Sequence, residues 1–170
     1  MDSSQAYQLQ PMSQPQIPAR FVQRSAFSLI EMTIVLLIIG ILAGIAIPKF
    51  DTALKATRAR GAANLVKSDL NYARRLAQQS SSSQSVSFDA IAESYALVGV
   101  NDIDRRNQFY VVNLSDSKYD SQIDTVDFAG TSNVKFDIHG RPDNPGTIVI
   151  SSGSTTETIQ VNSEGQVLIQ

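Results

Sequence analysis

Residues 27–47 read FSLIEMTIVLLIIGILAGIAI, and Glu31 is the one charged side chain in this run. As a helix rising about 1.5 Å per residue, the run is long enough to cross a bilayer core of about 30 Å. A carboxylate at membrane depth costs about 2.5–3.5 kcal/mol on insertion scales. The run therefore predicts a transmembrane helix that carries an acid close to its start, and this acid requires an explanation.

The segment before this run, residues 1–26, is polar and contains six glutamines and three prolines. It has no apolar period, which predicts disorder. Arg20 and Arg24 lie close to the apolar run. The positive-inside rule therefore places this end in the cytoplasm and the remainder of the chain across the membrane.

After Pro48 the apolar residues recur at steps of three and four, which predicts that the helix continues to about residue 82 with one apolar stripe. The polar run QQSSSSQS, residues 78–85, is expected to be a loop that ends the helix. The opposite face of the helix carries six cations. The stripe consists of Leu54, Ala62, Leu65, Val66, Leu70, Ala73, Leu76 and Ala77, and the cations are Lys55, Arg58, Arg60, Lys67, Arg74 and Arg75.

Beyond residue 85 the pattern changes to short runs rich in Val, Ile, Phe and Tyr, separated by Gly, Asn, Asp and Ser, which predict antiparallel strands. The clearest pair is Ile159 and Val161, a turn at NSEG, then Val167 and Ile169, which predicts a hairpin with one buried face. The runs are SVSF, YALVGV, FYVVNL, TVDF, VKFDI, TIVIS, TIQVN and QVLIQ.

The predicted fold class is α+β, with a long N-terminal helix packed on a C-terminal antiparallel β-sheet head. We expect four segments: a leader at 1–26, a transmembrane half-helix at 27–48, an amphipathic half-helix at 49–82 and a β-rich head at 83–170. Burying the amphipathic half of the helix against the sheet enlarges the core of a small head.

Two interpretations account for Glu31. Its side chain could reach the membrane interface, or it could acquire a cationic partner by proteolysis. Cleavage between Ala26 and Phe27 would create an α-amino group one helical turn away, largely positive at neutral pH because its pKa is about 8. Pairing of this amine with Glu31 of the same subunit or of the next would remove an uncompensated buried charge.

The stretch AFSLIEMTIVLLIIGILAGIAIP, residues 26–48, resembles the class III signal peptide of type IV prepilins and type II secretion pseudopilins. In that family a prepilin peptidase cuts after a small residue, usually glycine, and methylates the new N-terminus. The resemblance implies cleavage and N-methylation at the junction of Ala26 and Phe27. It also implies roles in assembly for Phe27, Glu31 and Pro48, the last as a place where the helix bends or melts.

The end of the chain resembles the closing region of H-type minor pseudopilins through Phe136, Gly140, Arg141 and Gly165. This resemblance implies a pilin fold and a structural subunit of a type II secretion or type IV pilus machine, in the bacterial inner membrane with a periplasmic head. The implied partners are prepilin peptidase, other pseudopilins or minor pilins, an inner-membrane assembly platform and membrane lipid.

Two alternatives remain open. One is a minor pilin for DNA uptake, but residues 85–170 contain five basic and twelve acidic side chains, a net charge of −7, so no nucleic acid is expected. The other is a soluble secreted β domain that begins near Ile47 after ordinary signal-peptide cleavage at AGIA. That alternative leaves Glu31 unexplained.

An enzyme is not expected, and neither is a cofactor. The chain has no cysteine, and its single histidine, His139, follows Asp137 in a predicted turn. Two such residues do not make a zinc site. Asp116, Asp120, Asp124 and Asp127 could supply oxygen ligands to calcium, but a solvated acidic face is the default interpretation.

Overall fold

The computed structural model describes residues 27–102 and 107–170, with backbone alone at 46–48. One helix, α1 (Leu29–Ser80), is followed by eight strands. The predicted leader, 1–26, and two of the five basic residues counted in 85–170, Arg105 and Arg106, lie outside the described residues. The described chain divides within α1, after Gly40, into two units.

α1 ends at Ser80, close to the predicted end near residue 82. The loop that follows is shorter than the polar run 78–85, because the helix continues to Ser80 and the first strand begins at Gln84. The hydroxyl of Ser80 donates a 2.7 Å hydrogen bond to the carbonyl of Leu76, so this serine adds a bond to the helix. Ser81 then adopts a φ of 49°, the left-handed conformation that commonly ends helices.

The strands form two antiparallel four-stranded sheets, with the order β3-β2-β1-β5 in the first sheet and β4-β6-β7-β8 in the second. The chain therefore leaves the first sheet for β4, returns for β5 and completes the second sheet with β6 to β8. The strands are β1 (Gln84–Asp89), β2 (Ser94–Asn101), β3 (Phe109–Asn113), β4 (Gln122–Asp127), β5 (Asn133–Phe136), β6 (Gly146–Ser152), β7 (Thr155–Val161) and β8 (Val167–Ile169).

The predicted closing hairpin is confirmed. Ile159 pairs with Ile169 and Val161 pairs with Val167 across β7 and β8. The turn between them is closed by the amide of Gly165, which donates to the carbonyl of Asn162 at 2.9 Å. All eight predicted runs lie within or overlap an observed strand, because alternating burial is a local property of each run.

The core lies between one face of α1 and the inner faces of both sheets. Alanines dominate the helical side, and aromatic and β-branched residues fill the sheet side. The predicted stripe is partly wrong, because Leu54 is exposed and Leu65 and Leu76 are half-buried. The helical side consists of Ala59, Ala62, Ala63, Val66, Asp69, Leu70, Ala73 and Ala77. Small side chains let the sheets approach the helix closely. The position of a residue on the helix, rather than the size of its side chain, therefore decides whether it is buried.

Candidate assembly site

Phe27 and Glu31 both lie at the start of α1. Phe27 precedes the first helical residue by two positions and is 73% exposed, and Glu31 lies in the first turn and is also exposed. The helix ladder begins with the amide of Met32 donating to the carbonyl of Ser28 at 3.2 Å. A carboxylate in the first turn is favoured by the positive end of the helix dipole, and it lies within one turn of the predicted new amine.

The first part of α1 is an exposed apolar surface. Its large side chains between residues 27 and 45 are 44–81% exposed, and the most apolar 18-residue window is 0% buried, with a mean hydropathy of 2.6. Among the described residues, α1 is the one helix that is long and apolar enough to cross a membrane. Exposed apolar surface of this extent indicates contact with lipid or with partner subunits.

The structure describes the other two predicted site residues incompletely. Ala26 lies outside the described residues, and Pro48 is described by its backbone alone. The backbone at Pro48 is helical, so α1 continues through the proline. Proline in a helix interior removes one hydrogen bond, which makes this position a weak point of the helix.

Three cations of the amphipathic half of α1 form ion pairs. The guanidinium of Arg58 donates to Asp120 at 2.5 Å, and Lys55 contacts Asp51 at 2.7 Å. A longer contact of 3.4 Å joins Arg60 to Glu157. Arg58 therefore fastens the helix to the β3–β4 loop, and Arg60 reaches toward β7.

The charged residue that sequence reasoning missed is Asp69. Its carboxylate is buried and accepts hydrogen bonds from the hydroxyls of Tyr95, at 2.6 Å, and Tyr110, at 2.8 Å. Burial raises the pKa of Asp69, and the two hydrogen bonds oppose that rise. Burial, together with the neighbouring carboxylate, raises the pKa of both tyrosines well above the usual value, so the hydroxyls stay protonated donors.

The signal for Asp69 is present in the sequence. Val66 and Ala73 belong to the predicted stripe, and Asp69 falls on the same side of the helix, three residues after Val66 and four before Ala73. A carboxylate on an apolar face predicts a buried donor elsewhere in the chain.

Two tight turns lie against the C-terminal part of α1. In the first, the carboxylate of Asp137 accepts hydrogen bonds from the amides of Arg141 and His139, both at 2.8 Å, which lowers the pKa of Asp137. Gln78 of the helix donates to the carbonyl of His139 at 2.9 Å. His139 therefore has the position expected of a turn residue.

The second turn contains Gly165 and lies against the first. A Cβ added at Gly165 would lie 2.1 Å from the carbonyl oxygen of Gly140 and 3.4 Å from Nε of Arg74. Gly165 also has a φ of +75°, which disfavours any other residue. Both glycines of the sequence pattern thus have a structural role at the contact between turns and helix.

Three of the four aspartates considered for calcium have separate side-chain partners. Asp120 pairs with Arg58, Asp124 accepts from the hydroxyl of Ser151, and Asp127 accepts from the amide of Gly130. Within the described ranges, no three His, Cys, Asp or Glu side chains come together in a way that could hold a metal ion.

Comparison with protein families identifies the chain. The family described as type II transport protein GspH matches residues 62–165, from the amphipathic half of α1 to the closing hairpin. The chain belongs to the GspH family. The prokaryotic N-terminal methylation motif matches residues 23–47, which includes the start of α1. No curated protein sequence matches the chain significantly.

Two solved structures share the fold of this GspH-family chain. The minor pseudopilin EpsH from the type 2 secretion system of Vibrio cholerae has a TM-score of 0.51 at 13% identity, covering 66% of this chain and 96% of that one. The type IV minor pilin FimU of Pseudomonas aeruginosa has a TM-score of 0.50 at 11% identity, covering 65% of this chain and 91% of that one. The predicted α+β pilin fold is confirmed.

Membership of the family gives the chain its general role. It is a pilin-like structural subunit of the minor pseudopilin or minor pilin kind, of a type II secretion or type IV pilus machine, and not an enzyme. Such subunits assemble with other pseudopilins or minor pilins. The family and the apolar start of α1 together indicate membrane anchoring.

Proposed function

We propose that prepilin peptidase cleaves this chain between Ala26 and Phe27 and methylates the new N-terminus, after which α1 carries the subunit into a short periplasmic filament. The machine we favour is a type II secretion system, with a type IV pilus as the alternative. The observation that carries the proposal is the match to the methylation motif over 23–47, upstream of the GspH match over 62–165, on a helix that starts with an exposed apolar surface.

The proposed site residues act one after another during processing and assembly. Cleavage removes the leader, 1–26, and leaves Phe27 with a cationic amine at the start of α1. Glu31 pairs with the amine of its own subunit or of the neighbour, which fixes the axial register of the stack. Without this partner the carboxylate would remain uncompensated at membrane depth, which is strongly unfavourable. Pro48 allows the helix to bend or melt locally when the subunit leaves the bilayer.

The proposed topology follows from the same segments. Residues 27–48 cross the inner membrane once, with the N-terminus cytoplasmic before processing. Residues 49–82 and the head at 83–170 lie in the periplasm. The partners are prepilin peptidase, the inner-membrane assembly platform, membrane lipid and the other pseudopilins. A DNA-uptake role is disfavoured because the net charge of −7 on residues 85–170 opposes the binding of a polyanion.

The test is the mass of the mature chain after coexpression with prepilin peptidase in a bacterial membrane. We expect a chain that begins at Phe27 and carries one methyl group. Ala26→Leu serves as the control, since a large residue at the junction should block cleavage and leave the leader attached. An uncut wild-type chain would contradict the proposal, and a chain beginning near Ile47 would support the secreted-domain alternative.

A further inference from the structure

Five polar residues form a basic face on the outside of α1. Arg60, Asn64, Lys67, Asn71 and Arg75 follow one another at steps of three and four residues, so they share one side of the helix over about 22 Å. Arg60, Asn64 and Arg75 are exposed, and Lys67 and Asn71 are half-buried. The face contains three cations and no acid.

These cations are poorly neutralised within the chain. Across residues 27–102 and 107–170, no ion pair involves Lys67 or Arg75, and Arg60 has one long contact of 3.4 Å while its side chain is 73% exposed. The acids of this half of α1 are Asp51 and Asp69. Asp51 is occupied by Lys55, and Asp69 is buried in the core. Two of the three cations of the basic face, Lys67 and Arg75, therefore have no ion-pair partner among the described residues.

A groove lies beside the basic face at Gly61. Its volume is about 400 Å³, and it is lined by Ala56, Thr57, Arg60, Gly61 and Asn64. A Cβ added at Gly61 would meet nothing within 4 Å, so packing inside the described chain does not require glycine there. Glycine in a helix interior is less favourable than alanine, and its presence next to the basic face is explained if a partner approaches the helix closely.

The chemistry of the partner follows from charge. The head of this chain, residues 85–170, has a net charge of −7, and Asp116, Asp124 and Asp127 are exposed on its surface. This net negative charge opposes the binding of an extended polyanion such as a nucleic acid or an anionic bilayer. A folded protein can place a few carboxylates opposite the basic face alone.

We infer that the basic face, with the groove at Gly61, is a docking surface for the acidic β-rich head of a neighbouring pilin-like subunit. This inference rests on the proposed function, since it needs a filament in which neighbouring subunits meet. The contact is heterologous, because the helix of one subunit meets the head of the next, and heterologous contacts propagate along filaments. The charges give specificity and register, and the groove allows close approach of the partner's backbone.

The test uses the absence of cysteine in the chain. Full-length Asn64→Cys is expressed in the native host with its machine intact, and the introduced thiol is labelled with a benzophenone maleimide and photolysed in the membrane fraction. We expect the main adduct to be a pilin-like subunit, joined through a peptide of its head that contains Asp or Glu. Adducts with lipid, with a protein of another class or with an apolar or basic segment would overturn the inference, as would no adduct.

Charge reversal provides the second arm. In the Asn64→Cys background, Lys67→Glu with Arg75→Glu should lower the yield of the adduct at least threefold. The matched control is Lys118→Glu with Lys135→Glu, which makes the same change of charge on the head and should leave the yield unchanged. Equal yields from both double variants, with unchanged thermal unfolding, would overturn the inference.

Failure of the inference can be told apart from failure of the proposed function on the same samples. If the chain begins at Phe27 and enters filaments, but the adduct is missing or insensitive to Lys67 and Arg75, the docking surface alone is wrong. If the mature chain begins elsewhere, the proposed function and the docking surface are both wrong.

Discussion

The carboxylate of Asp69 accepts a 2.6 Å hydrogen bond from the hydroxyl of Tyr95, and both residues are buried where α1 meets the first sheet. Tyr110 of the edge strand β3 donates to the same oxygen at 2.8 Å. One acid of the helix thus joins two strands of the sheet. Because buried polar groups are costly when unpaired, this small network ties the position of β2 and β3 to that of the helix.

Asp69→Ala should lower the free energy of unfolding by about 2–4 kcal/mol, because it leaves two tyrosine hydroxyls without their acceptor in a largely buried site. Tyr95→Phe should cost less, about 1 kcal/mol, since Asp69 keeps its bond to Tyr110. Urea unfolding of the mature chain in mild detergent, followed by circular dichroism, measures both. The control is Ser68→Ala, an exposed neighbour, which should stay within about 0.5 kcal/mol of wild type.

The pH dependence of the free energy of unfolding should include a contribution from Asp69. Burial raises its pKa above the value of 3.8 that an unfolded chain has. A raised pKa in the folded state means that the folded chain binds this proton more tightly than the unfolded chain does. The resulting contribution to the free energy of unfolding is complete below pH 3.8 and is lost as the pH rises through the pKa of Asp69 in the folded chain.

Asp69→Asn removes this titration while keeping an acceptor oxygen. The stability of wild type relative to Asp69→Asn should therefore increase as the pH falls from about 7 to about 4, and urea midpoints at several pH values measure that difference. Comparing the two chains cancels the titration of all other groups. A relative loss of wild-type stability over the same range would contradict the raised pKa.

Gly165→Ala should destabilise the head by more than about 2 kcal/mol. The new Cβ would lie 2.1 Å from the carbonyl oxygen of Gly140, and it would also hold a φ of +75° that alanine disfavours. Gly130→Ala is the matched control, because Gly130 has a φ of +81° but open space around its Cβ position. Its cost should be about 1 kcal/mol. Equal losses of thermal stability in the two variants would show that the contact between the turns contributes nothing.

The elements of this fold could be predicted from the sequence because each depends on local pattern. The apolar run, the three- and four-residue steps of the helix and the alternation of Ile159, Val161, Val167 and Ile169 each concern residues that are close in the chain. The loop after α1 is shorter than the polar run 78–85 predicts, because Ser80 donates to a helical carbonyl and continues the helix.

The order of the strands could not be predicted because it depends on distant pairs. β5 returns to pair with β1, placing Val134 opposite Val86, although β4 joins the other sheet. The hydrogen-bond partners of Asp69 could not be predicted for the same reason, since its donors lie 26 and 41 residues away in the chain. The roles of Phe27 and Glu31 stay predictions for another reason: their proposed pairing needs a cleavage and, in one arrangement, a second subunit.

Glu31→Ala should leave cleavage at Phe27 intact and lower incorporation into filaments by at least about tenfold, since breaking a buried ion pair leaves one charge uncompensated. Cleavage depends on the junction and the apolar run, which the substitution does not change. Mass spectrometry of the membrane fraction reports the cleavage, and the amount of subunit in sheared or crosslinked filaments reports the incorporation.

Two further variants separate charge from side-chain volume at this position. Glu31→Gln keeps the shape and loses the charge, so it should fail as Glu31→Ala does if the amine of Phe27 needs a carboxylate. Thr33→Ala, two residues further along the same exposed helix, should assemble normally because its hydroxyl bonds only to the carbonyl of Ile30 within the helix. Normal filaments with Glu31→Gln would rule out charge pairing and leave hydrogen bonding or interfacial exposure as the role of Glu31.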